Sequence, residues 1–189
     1  GYKKIKFYTS ENVGFGDVNL PERQMHTTSY WFTIPWDKLL TLSFRREEII
    51  DGLLGLSYSL HNLSAIVLMA DIRDLDRCIG DKSGQWYVRH GKDRRIITTA
   101  PGEITGSEAV MVDAYDPTVF IFDAYPGGVG FSELLFEQHE TLLNLSKSLI
   151  GSCPCEHGCP MCVGPVLDVG PAAKEAALAI IELIQQGGR

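Results

Sequence analysis

The residues best suited to chemistry are four closely spaced cysteines near the end of the chain: Cys153, Cys155, Cys159 and Cys162. Thiolates are preferred zinc ligands, and spacers this short let one loop place all four at the corners of a tetrahedron. Gly158 allows an unusual backbone conformation within that loop, and Pro154 and Pro160 reduce the entropy lost on closing it. We predict a structural zinc site, because four protein ligands leave no open position for catalysis.

The same side chains suit other chemistry as well. An iron–sulfur cluster also uses four cysteines, and the spacing does not exclude it. Cys159 and Cys162 form a Cys-x-x-Cys pair, which is typical of thiol redox proteins, although here it does not open a helix in a βαβ unit. His157 could replace one thiolate, but with four cysteines at hand we expect it to face solvent. Buried, unliganded thiols do not fit a segment so rich in Gly, Pro and polar residues.

Other candidate motifs are weaker. The stretch 123–130, Asp-Ala-Tyr-Pro-Gly-Gly-Val-Gly, could offer backbone N–H groups to a phosphate. It lacks the lysine and hydroxyl of a P-loop and the third glycine of a dinucleotide fingerprint, so we interpret it as a strand-to-helix turn. His61 with Asp71 or Asp74 could form a catalytic pair, but a histidine at the core edge, held by a backbone or carboxylate partner, is the favoured interpretation. The same interpretation applies to His139.

One short segment is densely basic and is a candidate nucleic-acid contact; its cations are Arg89, Lys92, Arg94 and Arg95. On a hairpin these side chains could bind phosphates, and Trp86 and Tyr87 could stack on bases. An ordinary solvated loop with a small hairpin core fits the pattern equally well. The net charge of −7 argues against a chain that coats nucleic acid over its whole surface.

Composition indicates one compact domain over residues 1–189, with 44% hydrophobic residues and no apolar run long enough to span a membrane. The clustered cysteines and the lone Cys78 indicate a reducing compartment, and we predict the cytoplasm. The chain begins at Gly1, without an initiator methionine or a targeting segment. We interpret it as a fragment of a larger protein.

The elements that must position the cysteines follow from periodicity. Strands are predicted at 3–9 (half-buried, before a turn at Gly14 and Gly16), 18–20, 25–34, 85–89, 94–99, 110–112 and 119–122. Helices are predicted from an N-cap at Ser43 to residue 70, at 130–150 and at 172–186. In the first helix, the small Gly52 and Gly55 allow close approach of a neighbour. We predict an α+β fold: a mixed or antiparallel sheet, about three helices and a four-cysteine zinc loop at 151–165.

Several of these segments resemble one known family. Residues 3–14, the Leu-Pro-Glu at 20–22, the His-Thr-Thr at 26–28, Trp31, the glycine-rich stretch 123–130 and the cysteine segment 153–163 occur in the same order and separation as in that family. Together they resemble the C-terminal zinc-binding domain of MrfA-like helicases, a branch of the superfamily 2 DEAD/DEAH-type ATPases. The similarity extends along nearly the whole chain.

The resemblance implies an accessory domain downstream of two RecA-like motor domains, which would be its partners in cis, with DNA as a further partner. Such helicases translocate 3′ to 5′ on DNA at the expense of ATP in the repair of crosslinks and other damage. The resemblance carries zinc binding to all four cysteines. It confines ATP and Mg²⁺ to the motor domains, whose motifs this chain lacks, so the chain alone should have no ATPase activity.

Two other functions are weighed against this one. The domain could be a zinc-stabilised protein-interaction or assembly module, for example in an anti-phage defence complex, since a related domain occurs in one such system. It could also be an independent enzyme using His61, Asp71 and the glycine-rich turn. The enzyme hypothesis is not favoured, because the sequence shows neither a nucleophile–base pair nor an open metal site.

Overall fold

The computed structural model describes residues 2–17, 25–80 and 116–187. The described strands are β1 (Tyr2–Ile5), β2 (Asn12–Gly16), β3 (Ser29–Thr33), β4 (Leu75–Gly80) and β5 (Thr118–Asp123). The helices are α1 (Trp36–Leu39), α2 (Arg46–Leu68), α3 (Phe131–Glu137), α4 (His139–Ser152), α5 (Val166–Val169) and α6 (Ala173–Gly187), with a 3₁₀ turn at Ile72–Asp74. The α+β prediction is confirmed, and the sheets are small and antiparallel. None of the described helices is both long enough and apolar enough to cross a bilayer.

Helix α2 is the centre of the fold. Its N-cap is Arg45 and not Ser43, because the Arg45 backbone N–H donates to the Glu48 carboxylate at 2.8 Å and completes a capping box. The predicted apolar stripe is buried, and Leu53, Leu56 and Leu60 are fully inaccessible to solvent. Burial of such a continuous stripe, rather than intrinsic propensity, holds this glycine-containing helix together.

Helix α6 crosses α2 at the two glycines. A Cβ atom at Gly52 would lie 2.6 Å from the Ala176 Cβ, and one at Gly55 would lie 3.2 Å from the Ala173 Cβ. The distance at Gly52 is shorter than real Cβ contacts, so glycine is required there, and the distance at Gly55 is tighter than ordinary packing. The predicted close approach of a neighbour at these glycines is confirmed, as is the last helix.

The three-stranded sheet has the order β3-β5-β4, with antiparallel pairing throughout. One face packs against the helices through Tyr30, Ile121 and Ile79, which are buried. Strand β3 covers only part of the predicted 25–34 strand, whereas β5 matches its prediction closely. Strand β4 was not predicted, since its Asp76-Arg77 pair hides the alternation of apolar residues.

The β1–β2 hairpin forms a separate sheet. The predicted half-buried strand at 3–9 is wrong in length and burial, because β1 ends at Ile5 and is exposed throughout. The predicted turn at Gly14 and Gly16 is also wrong, since both glycines lie in β2. Gly16 lies beneath the Tyr2 ring, where a Cβ would come within 2.6 Å of a ring carbon. Gly16 therefore makes room for the cross-strand Tyr2 ring.

The predicted single helix at 130–150 is two helices, α3 and α4, separated at Gln138. Leu145, which was predicted on the apolar side of one long helix, is 40% exposed, whereas Leu143 and Ile150 are buried. Helix α5 was not anticipated. The strands predicted at 18–20, 85–89, 94–99 and 110–112 lie outside the described residues.

Candidate metal centre

The loop between α4 and α5 brings the four cysteines together. Their Sγ atoms all lie within 4.8 Å of one another. Individual separations are 3.6 Å for Cys153 and Cys159, 3.4 Å for Cys155 and Cys162, and 3.7 Å for Cys159 and Cys162. Four sulfurs placed about 2.3 Å from one tetrahedral zinc ion are about 3.8 Å apart. The donor set therefore fits a single ion of this kind.

The same distances bear on the alternatives. A disulfide requires two sulfurs about 2.0 Å apart, and all four cysteines are free thiols. In a [4Fe–4S] cluster each thiolate binds a different iron, which spreads the sulfurs over a wider cage than one ion needs. His157 is exposed, as expected, with its Nε2 3.7 Å from the Glu156 carboxylate. The geometry favours four thiolates around one ion.

Local backbone geometry explains how the loop closes. The Cys153 N–H donates to the Leu149 carbonyl at 3.2 Å, which places the first cysteine on the last turn of α4. The backbone N–H groups of Cys162 and Gly164 both donate to the Cys159 carbonyl at 3.0 Å, which forms a tight turn. Gly158 has φ +131°, and a Cβ there would lie 2.6 Å from Val163 Cγ2. The predicted conformational role of Gly158 is confirmed.

A chain of contacts joins the loop to the sheet. The Tyr58 hydroxyl on α2 donates to the Pro160 carbonyl at 3.1 Å. The Arg77 guanidinium on β4 lies 4.8 Å from the Tyr58 ring centroid and donates to Ser57 Oγ at 3.0 Å. Burial lowers the pKa of Arg77, since desolvation disfavours its charged form. The sequence offered no signal for these contacts, because the residues that make them are far apart in sequence.

A second support comes from α6. Lys174 Nζ donates to the Cys153 carbonyl at 2.6 Å and also to the Cys155 carbonyl. Lys174 was not among the residues predicted from the sequence to belong to the site. A signal did exist, because Lys174 lies in the first turn of a helix, where the dipole favours acidic side chains.

The pKa values of the thiols differ within the cluster. The backbone N–H of Cys155 is the main cause that lowers the pKa of Cys153 to about 7. Burial raises the pKa of Cys162 to about 12 and also raises that of Cys155. A cation bound here must displace the remaining protons, so its affinity would increase with pH.

The glycine-rich stretch 123–130 is a capped turn. Asp123 is fully buried, and its Oδ2 accepts from the N–H groups of Val129 at 2.6 Å and Gly130 at 3.0 Å. Its Oδ1 accepts from the Ser132 hydroxyl at 3.1 Å. The N–H groups that a phosphate would need are therefore already bound, in agreement with the strand-to-helix interpretation.

The histidines agree with the favoured core-edge interpretation, and His61 pairs with neither Asp71 nor Asp74. His61 Nε2 donates to the Leu75 carbonyl at 3.0 Å, as expected for a histidine at the core edge. Asp71 instead binds the Arg73 guanidinium, which lowers the pKa of that carboxyl. His139 Nδ1 is hydrogen-bonded to the Tyr30 hydroxyl, and burial lowers the pKa of His139.

Four basic residues were predicted to contact nucleic acid. Arg89, Lys92, Arg94 and Arg95 lie outside the described residues.

Comparison with known proteins gives a consistent result. The model of the MrfA Zn-binding domain family matches residues 56–163, a segment that includes all four cysteines. The ATP-dependent helicase YprA of Bacillus subtilis is 30% identical over 181 residues, which are 96% of this chain and 20% of that protein. A protein of Methanocaldococcus jannaschii, MJ1572.1, is 44% identical over 45 residues, covering 24% of this chain and 40% of that one.

Two solved structures are similar as well. The crystal structure of the DUF1998 helicase MrfA bound to DNA has a TM-score of 0.62 and 28% identity, over 96% of this chain and 20% of that one. MrfA bound to DNA and AMPPNP has a TM-score of 0.55 and 29% identity, over 95% and 19% of the two chains. The chain thus spans about a fifth of the length of the helicases it matches.

Proposed function

The chain belongs to the MrfA Zn-binding domain family, and we propose that it is an accessory zinc domain of an ATP-dependent DNA helicase that acts in DNA repair. The convergence of four Sγ atoms within 4.8 Å carries the zinc part of this proposal, and the similarity to helicases over 96% of the chain supports the helicase part. Motor domains elsewhere in the parent protein would hydrolyse ATP, and this domain would support DNA engagement or strand separation. A site of free thiols suits a reducing compartment, which we take to be the cytoplasm.

Zinc has a structural part in this proposal. When bound by Cys153, Cys155, Cys159 and Cys162, the ion would cross-link the end of α4 to the segment that leads into α5. Structural zinc contributes about 10–16 kcal/mol of apparent binding free energy in small peptides, which couples metal binding to folding. Here α2, α4 and α6 share a core that includes Leu56, Ile150 and Ile180, all fully buried. Metal loss should therefore unfold the cysteine loop before the helical core.

The zinc assignment is tested with Cys159→Ser. We expect the wild-type chain to hold one zinc per molecule and the variant to lose most of it, since removal of one thiolate opens the tetrahedron. Cys78→Ser is the matched control, because Cys78 is a half-buried thiol on β4, outside the cluster. Metal content is measured by elemental analysis after gel filtration. Equal zinc in the two variants would contradict the assignment.

The β1–β2 hairpin supports a contact with DNA. Strand β1 carries Lys3 and Lys4, and the following turn presents Phe7 and Tyr8, which are 91% and 94% exposed. Single-stranded nucleic acid is commonly bound by cations along its backbone and aromatic rings against its bases. The similar MrfA structures contain DNA, which agrees with this proposal.

DNA engagement is tested by the salt dependence of oligo-dT binding, measured by fluorescence anisotropy. Each phosphate contact on a single strand contributes about 0.7 to the slope of log affinity against log salt. The double variant Lys3→Gln and Lys4→Gln should lower that slope by about 1.4. Lys147→Gln is the control, because Lys147 lies on α4 in an ion pair with Glu182. An unchanged slope in the double variant would exclude the two hairpin lysines.

A protein-interaction module is the second candidate, and one surface favours it. Ile66 and Met69, at the end of α2, are 70% and 94% exposed, so a neighbouring protein domain could pack against them. The DNA titration separates the two functions, because a module that binds protein alone would show no salt-dependent binding of oligo-dT.

A further inference from the structure

Lys174 holds the cysteine loop from outside it. Its Nζ donates to the Cys153 carbonyl at 2.6 Å and to the Cys155 carbonyl, and these two carbonyls flank Pro154. Proline has no N–H, so this stretch has one backbone donor fewer with which to fix its own shape. A donor from α6 therefore fixes the backbone that carries the first two cysteines.

The local environment does not otherwise favour a cation at this position. Lys174 lies in the first turn of α6, at the positive end of the helix dipole. It is half-buried, and no carboxylate within 2–17, 25–80 or 116–187 forms a salt bridge with it. The two carbonyls are neutral acceptors, so a source of negative charge close to them would stabilise the ammonium group further.

A tetrathiolate zinc centre is such a source. Four thiolates carry a charge of −4 and zinc carries +2, which gives the loaded centre a net charge of −2. Residues that orient metal ligands from outside the coordination sphere commonly change metal affinity by about 10–100-fold. An ammonium group on the backbone of two ligands would both orient them and offset the charge of the centre.

We propose that Lys174 is a positioning residue of the metal centre, which holds Cys153 and Cys155 for ligation and compensates the negative charge of the zinc-loaded site. This inference rests on the proposed zinc-binding function of the loop. It assigns to α6 a direct part in metal retention, through a residue that is not itself a ligand.

The test measures the zinc dissociation constant of the 189-residue chain at one fixed pH, by competition with a chelator of known affinity. Lys174→Met, which removes the charge and the donors, should bind zinc about 10–100-fold more weakly than the wild type. Lys147→Met is the matched control: it removes a lysine from neighbouring α4, where Lys147 pairs with Glu182, and should leave the affinity unchanged.

Two further readouts separate positioning from general stability. In the cobalt-loaded chain, Lys174→Met should alter the visible absorption bands, because these report the geometry of the ligands. In urea, Lys174→Met should lower the unfolding midpoint of the zinc-loaded chain more than that of the metal-free chain. If Lys174 were merely structural, its substitution would lower both midpoints equally and leave the cobalt spectrum unchanged.

Charge and donor geometry are separated by two more variants, which also serve if Lys174→Met does not fold. Lys174→Arg keeps the charge and should bind zinc more tightly than the neutral Lys174→Gln. Equal affinities for wild type, Lys174→Met and Lys174→Gln would overturn this inference alone. A wild-type chain that binds neither zinc nor cobalt through thiolates would instead overturn the proposed function.

Discussion

Substitution of Gly52 by alanine tests the contact between α2 and α6 that frames the metal centre. An alanine Cβ at this position would lie 2.6 Å from Ala176 Cβ, 2.8 Å from the Ala176 carbonyl carbon and 3.0 Å from the Ala177 nitrogen. Two of these three atoms belong to the α6 backbone. The clash therefore cannot be relieved by rotating a side chain, and α6 must move away from α2 as a unit.

Two opposing effects determine how much Gly52→Ala changes the free energy of unfolding. Alanine is better than glycine inside a helix by about 1 kcal/mol. Overpacking of a close-packed interface costs about 1–3 kcal/mol, and a clash with backbone belongs at the upper end of that range. We therefore expect Gly52→Ala to lower the free energy of unfolding by about 2 kcal/mol, which corresponds to a decrease in Tm of about 4–8 °C for a chain of this size.

The assay is urea and thermal unfolding followed by far-ultraviolet circular dichroism on the zinc-loaded chain. Gly151→Ala is the control, because Gly151 also lies in a helix, α4, but a Cβ there has no neighbour within 4 Å. That variant should keep the benefit of helix propensity, up to about 1 kcal/mol, without the clash. If Gly52→Ala were as stable as Gly151→Ala, the close helix contact would be wrong.

Two further predictions concern the parts of the fold away from the cysteines. Asp123→Asn should lower the free energy of unfolding by about 3 kcal/mol, since hydrogen bonds to charged groups contribute about 1.5–3 kcal/mol each and Asp123 binds the start of α3 through several. Urea midpoints for this variant are compared with those of Asp37→Asn, an exposed acid in the first turn of α1, and similar midpoints would count against the capped turn. Burial lowers the pKa of His139 below its ordinary value of about 6.5, so below that pH the unfolded chain binds more protons than the folded chain and stability decreases. In His139→Gln the free energy of unfolding should decrease less between about pH 7 and 5 than it does in the wild type. If the free energies of the two proteins differed by the same amount at every pH in this window, His139 would not be the cause of the decrease.

Much of the candidate site followed from residues close together in sequence. The spacing of the four cysteines predicted their convergence, and Gly158 has the positive φ predicted for the loop. The apolar stripe of α2 could be predicted equally well, since a helix repeats its buried face every three or four residues. Such local regularities are properties of the backbone, and they hold whatever the chain packs against.

Contacts between distant segments could not be predicted in this way. Strand β4 was not predicted from the sequence, because a charged residue, Arg77, lies on its buried face. There the Tyr58 ring covers the guanidinium. Alternation predicted a strand near β1, but one too long and half-buried, and it could not show that the hairpin forms a sheet of its own, apart from the three-stranded sheet. Periodicity shows which face of a helix or strand is apolar. It does not show which other element packs against that face, because tertiary structure decides this.

Lys174 shows how a conflict with a local rule points to such a partner. The helix dipole favours acidic residues in the first turn of α6, and that turn holds Glu175 but also a lysine, Lys174. Sequences agree with their folds at most positions, so a residue that breaks a local preference is often held by a contact elsewhere in the structure. Here that contact is with the carbonyls of Cys153 and Cys155. Because the same helix packs on Gly52 and Gly55, α2 and α6 together fix the position from which Lys174 reaches the cysteine loop.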